Sequence, residues 1–473
     1  MMPLNIMSDE EVASASGAPM ITTWYTNSIT LPLMTGYLYD FVVDWGDGTT
    51  DHITTYNQAE RVHSYASTAT WTVTITGLMQ KFSLGNVTTS RTVFRTVEQL
   101  GDTGLTDTSN MFNGISYTGR NFIAGINNAT LITSTYRMFM NYYSPVDVSN
   151  MDMSSCTTMQ DMFNNARGLV TFNGFKIYAN TNVQYMFSTA QGSIDLTGID
   201  TTEMTTASNM FKNYSYTGAL DVGHMNMMSC TTMQDMFNNN RAQLSFNGFK
   251  IYANTNVQYM FSTAYGSIDL TGIDTSEMTS AIDMFRNYYY TGALDVGHMN
   301  MASCTTMVEM FNNNKAQLTF NGFKIYANTN VQYMFSTAQG SIDLTGIDTS
   351  EMTTAYNMFR NYYYTGTLDL SPMNMSSCAT MQEMLVNCRA TIVGLETLNI
   401  GNVTTMYNMM NNASTKTLTT AQYDALLINY QAQPHKLNVP MYIKGTYTLG
   451  GAAETARNAL IADGWTITDN GGI

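Results

Sequence analysis

Residues 176–190 read KIYANTNVQYMFSTA, and the same fifteen letters return at residues 250–264 and 324–338. The two steps between these copies are therefore equal in length. Each step contains three Met-Phe pairs, whose methionines recur about every 24–26 residues, a period typical of solenoid repeats. This marker methionine, or its equivalent in the last two units, counts thirteen units along the chain: Met111, Met138, Met162, Met186, Met210, Met236, Met260, Met284, Met310, Met334, Met358, Met384 and Met409.

Aligned on the marker methionine, the units share apolar columns 16, 14, 11, 6 and 3 positions before it, at the marker, and one position after it, with Asn254 six positions before the marker in one unit. Ile194 and Leu196 flank one polar residue, as in a short strand with one inward face. The later spacing, at Ala207, Met210 and Phe211, predicts a tight helical return. No unit can bury its apolar face alone, so the units must stack as rungs. The sequence predicts a β-rich, leucine-rich-repeat-like solenoid of about 13 rungs, with an N-terminal β-sandwich and a small α+β C-terminal cap.

The repeat unit has a readable internal order. Residues 194–211 read IDLTGIDTTEMTTASNMF, and residues 220–237 read LDVGHMNMMSCTTMQDMF. This order of strand, Thr/Ser/Asn turn and Met-Phe resembles the BspA-like leucine-rich repeat of bacterial surface proteins. The resemblance covers about residues 94–412 and begins with FRTVEQLGDTGLTDTSNMF, which is similar to the family's first unit. It implies display at a surface and attachment to host cells or matrix.

The region before the repeats alternates apolar and polar residues around a Gly-Asp-Gly turn, which predicts the hairpins of a small β-sandwich. Its Trp-Gly-Asp-Gly turn, Trp45 to Gly48, and its His63 and Tyr65 resemble the polycystic-kidney-disease type of immunoglobulin-like domain. Past the last marker, two helical stretches and a strand predict a cap that covers the end of the solenoid. The predicted organisation is an arm over 1–19, the sandwich over 20–92, the solenoid over 93–412 and the capping domain over 413–473.

The net charge and the length of the apolar stretches exclude some classes of partner. The chain has 20 Lys and Arg against 35 Asp and Glu, a net charge of −15, so its field repels nucleic acid and anionic membranes. No stretch approaches the ~20 apolar residues of a bilayer span, and the amino terminus has no basic flank. The sequence therefore predicts no nucleic-acid partner, no membrane insertion and no secretion signal.

Four of the five cysteines, Cys156, Cys230, Cys304 and Cys378, are separated by the same step as the copies of KIYANTNVQYMFSTA, and the fifth is Cys388. This spacing follows the repeat and matches neither a disulfide framework nor paired metal ligands. The sequence predicts small buried thiols.

Tyrosine clusters follow every third marker methionine. Strand spacing places neighbouring clusters about 14 Å apart along the stack. Tyrosine offers contact area, a polar group and little entropy loss, so these rings are candidates for binding glycan or protein; the alternative is that they only close the edge of the solenoid. A second column, Tyr178, Tyr252 and Tyr326, is a further candidate for the same surface. The candidate binding tyrosines are Tyr142, Tyr143, Tyr214, Tyr216, Tyr288, Tyr289, Tyr290, Tyr362, Tyr363 and Tyr364.

Each predicted strand has two inward residues with one outward residue between them, and aspartate recurs at that outward position. Asp195 and Asp221 are expected to face each other across adjacent rungs at ~4.7–4.9 Å. Such a pair repels, which either raises one pKa or favours Ca²⁺; a solvated acidic face is the alternative. Paired carboxylates also raise the hypothesis of a glycosidase, but an active site rarely repeats with its scaffold. The candidate calcium ligands are Asp195, Asp221, Asp269, Asp295, Asp343 and Asp369.

No nucleotide-binding or zinc-hydrolase motif is present, so the sequence predicts a non-enzymatic protein without a cofactor other than Ca²⁺. Our leading hypothesis is a virion-associated adhesin, a phage tail-fibre or capsid-decoration protein that is assembled in the host cytoplasm. It would bind host-surface glycan or protein and contact other virion proteins through its N-terminal region. The alternative is a secreted bacterial cell-surface adhesin, and a weaker one is a glycan-cleaving enzyme of the virion. Self-association is left open.

Overall fold

The computed structural model describes residues 17–115, 122–123, 131–149, 151–411 and 416–473. The predicted fold class is confirmed: the chain is a β-solenoid of about 13 turns with a β-rich N-terminal region and small helical elements near its C-terminus. It divides into two compact units, Met1–Cys230 and Thr231–Ile473. Most of the predicted arm lies outside the described residues, and the predicted domain boundaries stay predictions.

In the first unit the strands are β1 (Met20–Thr30), β2 (Tyr39–Asp44), β3 (Thr50–Ile53), β4 (Val62–Met79), β5 (Phe94–Gln99), β6 (Phe122–Ile123), β7 (Val146–Asp147), β8 (Val170–Thr171), β9 (Ile194–Asp195) and β10 (Ala219–Asp221), with the short helix α1 (Thr88–Val93). Nine of these strands lie in one sheet, in the order β3-β2-β4-β1-β5-β6-β7-β8-β9. Strand β5 is antiparallel to β1 and parallel to β6. The N-terminal hairpins and the first rungs therefore share one hydrogen-bonded sheet.

In the second unit the elements are β11 (Gln243–Ser245), β12 (Ile268–Asp269), β13 (Ala293–Asp295), β14 (Gln317–Thr319), β15 (Ile342–Asp343), β16 (Thr367–Asp369), β17 (Thr391–Val393), α2 (Thr420–Ala432), β18 (Pro440–Tyr442), α3 (Ala452–Ala462) and β19 (Thr466–Thr468). The rung strands pair in parallel, and their inward residues are aligned, as Leu294 is with Leu318 and Leu318 with Ile342. The same apolar column therefore stays inside from rung to rung.

The C-terminal elements cover the last rung. The N–H of Met406 donates to the carbonyl oxygen of Pro440 at 2.8 Å, which places β18 beside that rung. Helix α2 begins at a capping box in which Thr419 and Gln422 bond to each other's backbone N–H. Buried Tyr430 of this helix donates from Oη to the carbonyl oxygen of Leu395 at 3.0 Å. The end of the core is thereby closed by polar contacts as well as apolar ones.

The predicted helical returns are wrong for the described rungs, where the returns are successions of turns. In one rung, the N–H of Met162 donates to Met159 of the same rung at 3.1 Å, whereas the N–H of Phe163 donates to Met186 of the next rung at 2.9 Å. The residues just before the marker and three after it, such as Asp161 (φ 56°) and Asn165 (φ 55°), are left-handed. A left-handed residue every four positions prevents a helix, and Asn and Asp tolerate that conformation best.

The predicted core columns are confirmed except six positions before the marker, where Asn180, Asn254 and Asn328 replace the apolar residue and are exposed. All thirteen marker methionines have 0% exposure. The phenylalanines that follow them stack from rung to rung: Phe163 lies 5.5 Å from Phe187 at 7° between ring planes, and Phe311 lies 5.6 Å from Phe335 at 8°. All five cysteines are buried thiols outside any disulfide, as predicted. The repeat thus builds a core of thioether and aromatic groups that leaves only the outward columns for function.

Candidate binding surface

The first tyrosine of each cluster lies in the core, which corrects the prediction that it contacts a ligand. Tyr288 is fully buried, and its Oη donates to the carbonyl oxygen of Gly266 at 2.7 Å. Tyr362 makes the equivalent bond to Gly340 at 2.8 Å. Burial raises the pKa of both phenols, so they stay neutral donors. The four rings that are removed from the candidate surface in this way are Tyr142, Tyr214, Tyr288 and Tyr362.

The last tyrosine of the three later clusters lies against the glycine two residues on. A Cβ added at Gly292 would lie 2.4 Å from Oη of Tyr290, and Gly366 has the same relation to the ring of Tyr364. Only glycine leaves room for the ring there. These rings, together with Tyr216 over Gly218, are part-exposed and stay available for contact from one side.

The remaining tyrosines lie five positions after the marker, and each is paired with a cation from the next rung. The guanidinium of Arg167 lies 4.1 Å from the ring centroid of Tyr143. The ammonium of Lys315 lies 4.7 Å from the ring of Tyr289. Tyr363 is 39% exposed, and the guanidinium of Arg389 lies 4.7 Å from its ring. Six of the ten predicted tyrosines therefore remain at the surface.

In the second unit this position forms a continuous outward column, which we call the aromatic-basic column. Its rungs are joined by backbone hydrogen bonds: the N–H of Tyr289 donates to Ala264 at 2.8 Å, and the N–H of Lys315 donates to Tyr288 at 2.9 Å. The rings of Tyr265 and Tyr289 lie 5.2 Å apart. The column consists of Arg241, Tyr265, Tyr289, Lys315, Gln339, Tyr363 and Arg389.

Sequence reasoning missed five members of this column. It treated the tyrosines as clusters along the chain, and so did not compare position five after each marker from unit to unit. The signal was present, because that comparison gives only aromatic, basic and amide side chains from Arg241 to Arg389. Two positions before Tyr289 and Lys315 of the column lie the amides of Asn287 and Asn313. Asn313 Nδ2 donates to Asn287 at 2.9 Å, and Gln339 Nε2 of the column donates to Asn313 at 2.7 Å.

The second tyrosine column differs in charge. Lys324 lies 5.0 Å from the ring of Tyr326 and forms ion pairs with Asp348 at 3.3 Å and Glu351 at 2.6 Å. The hydrogen bond to Glu351 raises the pKa of this lysine. Lys176 and Lys250 have equivalent carboxylate partners. A small polar cleft of about 210 Å³ lies here, lined by Gly297, His298, Met299, Asn300, Met301, Gly322, Lys324 and Tyr326. The lysines of this column are thus neutralised by the protein itself.

The candidate calcium ligands serve their own turns. Asp343 Oδ1 accepts the N–H of Thr345 at 2.9 Å, and Asp195, Asp221, Asp269, Asp295 and Asp369 each accept the N–H two residues on at the same distance. The sequence predicts that carboxylates such as those of Asp195 and Asp221 face each other across paired strands. Strand pairing does not bring them together, because the sheets end between β9 and β10, β12 and β13, and β15 and β16. Asp343 lies in register with Thr319 instead. Within the described parts of the chain, no three His, Cys, Asp or Glu residues are arranged to hold a metal ion.

These turn aspartates predict how stability depends on pH. Hydrogen bonds from the hydroxyl and N–H of the residue two on lower the pKa of Asp195, Asp269 and Asp343. A carboxyl whose folded pKa is depressed stabilises the fold above its unfolded pKa of about 3.9, and this contribution is lost as the pH falls through the folded pKa. We expect urea resistance to fall below about pH 4, and to fall less when all three are changed to Asn, which keeps the acceptor without the titration. An acid transition of unchanged size in that variant would contradict the prediction.

Stacked short strands, turn-built returns and an outward column of rings and cations define a repeat solenoid protein with a linear exposed surface. The family described as "Mycoplasma protein of unknown function, DUF285" matches residues 78–194, 106–218, 181–291, 255–366 and 305–423, which together span well over half of the sequence. The chain belongs to this family. No curated protein and no solved structure matches it. Among the described residues, no helix has the length and apolar character needed to cross a bilayer.

Proposed function

We propose that the protein is a non-enzymatic recognition protein that attaches to glycan or protein on a host surface. The observation that carries this proposal is the aromatic-basic column, in which side chains suited to contact stand on rungs fixed by backbone hydrogen bonds of 2.8 and 2.9 Å. Tyr265 is 48% exposed and Tyr363 is 39% exposed. Rings that are already ordered lose little entropy when a ligand binds, which favours affinity.

The BspA-like resemblance of the repeats supports attachment as the role. Contacts among the N-terminal motif residues support the PKD-like part of the proposal: Tyr65 Oη donates to the carbonyl oxygen of Trp45 at 2.9 Å, and His63 stacks on Trp45 with ring centroids 4.7 Å apart. In this proposal the N-terminal region docks on other structural proteins, and the solenoid carries the binding surface.

We assign the protein to a virion, as a tail-fibre or capsid-decoration component. The support is chemical: all five cysteines are buried thiols outside any disulfide, as in a protein that assembles in a reducing cytoplasm. The second candidate is a bacterial cell-surface adhesin, which the description of the matching family as a mycoplasma protein favours. Mass spectrometry of purified virions separates the two, since the chain must be present in particles under the first and in the surface fraction of cells under the second.

The test of recognition is a glycan array probed with the full chain and with a variant in which Tyr265, Tyr289 and Tyr363 are changed to Ala. Stacking on aromatic rings is worth about 0.5–1.5 kcal/mol per pair, so we expect the variant to lose roughly tenfold or more in affinity. The matched control changes Tyr178, Tyr252 and Tyr326 to Ala, which removes three rings from the other column. Equal binding by both variants and the unchanged chain would overturn the assignment of the surface.

A further inference from the structure

The aromatic-basic column holds cations that no carboxylate neutralises among the described residues. Arg241 lies 5.7 Å from the ring of Tyr265, and Lys315 and Arg389 each lie 4.7 Å from a tyrosine ring. Within the part of the chain that the structure describes, these three cations form no ion pair with Asp or Glu. By contrast, Arg286 pairs with Asp283 and Glu309. A ring holds a cation in place but does not cancel its charge, so the column remains open to an anion.

The surroundings of the column keep acids away. From three to seven positions after the marker, the seven rungs read NNRAQ, TAYGS, NYYYT, NNKAQ, TAQGS, NYYYT and NCRAT, in which Asp and Glu are absent. Lys416 adds a further cation at one end, where its Nζ donates to Thr391 Oγ1 at 2.9 Å. In a chain of net charge −15, this strip is a local exception. An anionic ligand is therefore attracted here and repelled elsewhere.

The spacing of the cations selects an elongated ligand. Arg241, Lys315 and Arg389 are three rungs apart from one to the next, or about 14 Å each at ordinary strand spacing. Cations this far apart cannot close on one small anion. Between them lie the rings of Tyr265, Tyr289 and Tyr363 and the amide of Gln339, which suit sugar faces and hydroxyls. A chain that carries sugar rings throughout and negative charges at intervals fits this order.

We infer that the aromatic-basic column binds an acidic polysaccharide laid along the stack of rungs. This inference rests on the proposed recognition function and names its ligand class. Single-stranded nucleic acid is the less suitable polyanion, because it carries a charge on every nucleotide, whereas the column supplies one cation every ~14 Å. Its denser charge would also meet the repulsion of the whole protein.

The experiment measures binding of labelled hyaluronan, in which only every second sugar carries a carboxylate, and of uncharged dextran and poly(dT) to the full chain, at low and at high salt. We expect hyaluronan to bind, dextran to bind far more weakly, and affinity to fall with added salt. Affinity should also rise with chain length until the ligand spans about 28 Å, the distance from Arg241 to Arg389 at ordinary strand spacing.

The deciding variant changes Arg241, Lys315 and Arg389 to Gln, and we expect it to lose roughly tenfold in affinity for the acidic polysaccharide. The matched control changes Lys176, Lys250 and Lys324 to Gln; it alters the net charge equally but removes cations already paired with carboxylates, so binding should persist. A variant with Arg241 and Arg389 changed to Lys should bind as the unchanged chain does. Equal losses in the Gln variant and its control would overturn the inference.

The outcomes separate this inference from the function beneath it. If dextran or another neutral glycan binds, and loses affinity on Tyr265, Tyr289 and Tyr363→Ala but not in the Gln variant, recognition stands and the acidic ligand is wrong. If poly(dT) binds more tightly than hyaluronan, with the same dependence on Arg241, Lys315 and Arg389, the ligand class is overturned. If no glycan and no host-surface protein binds, both proposals fail.

Discussion

Replacing Phe311 with alanine is expected to lower the free energy of unfolding by about 3–5 kcal/mol. The ring is fully buried, and it stacks between Phe285 and Phe335, with ring centroids 5.5 and 5.6 Å away. Phe320 lies edge to face with it, at 6.0 Å between centroids. Truncation therefore removes contacts to three rings and leaves a cavity that the fixed rungs cannot close. Urea denaturation followed by far-ultraviolet circular dichroism measures the loss.

Hydrogen exchange should locate this effect. Each rung contacts mainly its neighbours, so protection should fall first in the rungs around Phe311. Phe311→Leu is the matched control, since Leu385 fills the same position in a later rung, and we expect it to cost about 1 kcal/mol. An alanine variant as stable as the leucine variant would show that the aromatic stack does not hold the rungs together.

Replacing Gly340 with alanine is the second large effect, with an expected loss of about 3 kcal/mol or more. An added Cβ would lie 1.8 Å from the carbonyl oxygen of Ala316 in the preceding rung, which is backbone and cannot turn aside. The same glycine accepts the buried hydroxyl of Tyr362 at 2.8 Å. Separating the two rungs to admit the methyl group would therefore also strain that bond.

Thermal unfolding of Gly340→Ala should be compared with that of Gly451→Ala. At Gly451 the added Cβ would meet nothing closer than 3.7 Å, so we expect a change of about 1 kcal/mol or less. If Gly340→Ala unfolds at the same temperature as Gly451→Ala, the rungs separate freely at this edge and the prediction is wrong. The same comparison can be repeated at Gly266, where the contact to Ala242 is also 1.8 Å.

Much of the fold could be predicted because burial repeats with the sequence. Columns such as Ile194, Leu196 and Met210 are apolar in unit after unit, and only stacking gives all of them an interior. The shape of the returns could not be predicted in this way. A spacing of three and then one suits a helical turn, but it also suits the left-handed turns that Asp161 and Asn165 make.

The candidate surface was only partly predictable. Tyr288, Tyr289 and Tyr290 are consecutive and chemically identical, yet one is buried, one faces a lysine and one covers a glycine. Composition does not distinguish them, since their orientation depends on the turn that carries them. The partners of the exposed ring lie in the neighbouring rungs, a whole repeat unit away in sequence, and become neighbours only when the backbones pair.

The sequence by itself determined the period, the number of rungs and the core columns, because apolar residues at fixed intervals must share one interior. Tertiary structure alone decided which outward side chains meet. Left-handed residues lie on either side of each marker from Met236 to Met384 and break the strand and helix periods. The facing of Tyr289, Lys315 and Arg389 therefore follows from backbone geometry and rung stacking. That stacking left three cations beside rings, with no carboxylate of the described chain close enough to pair with them, and so produced a surface that local sequence does not reveal.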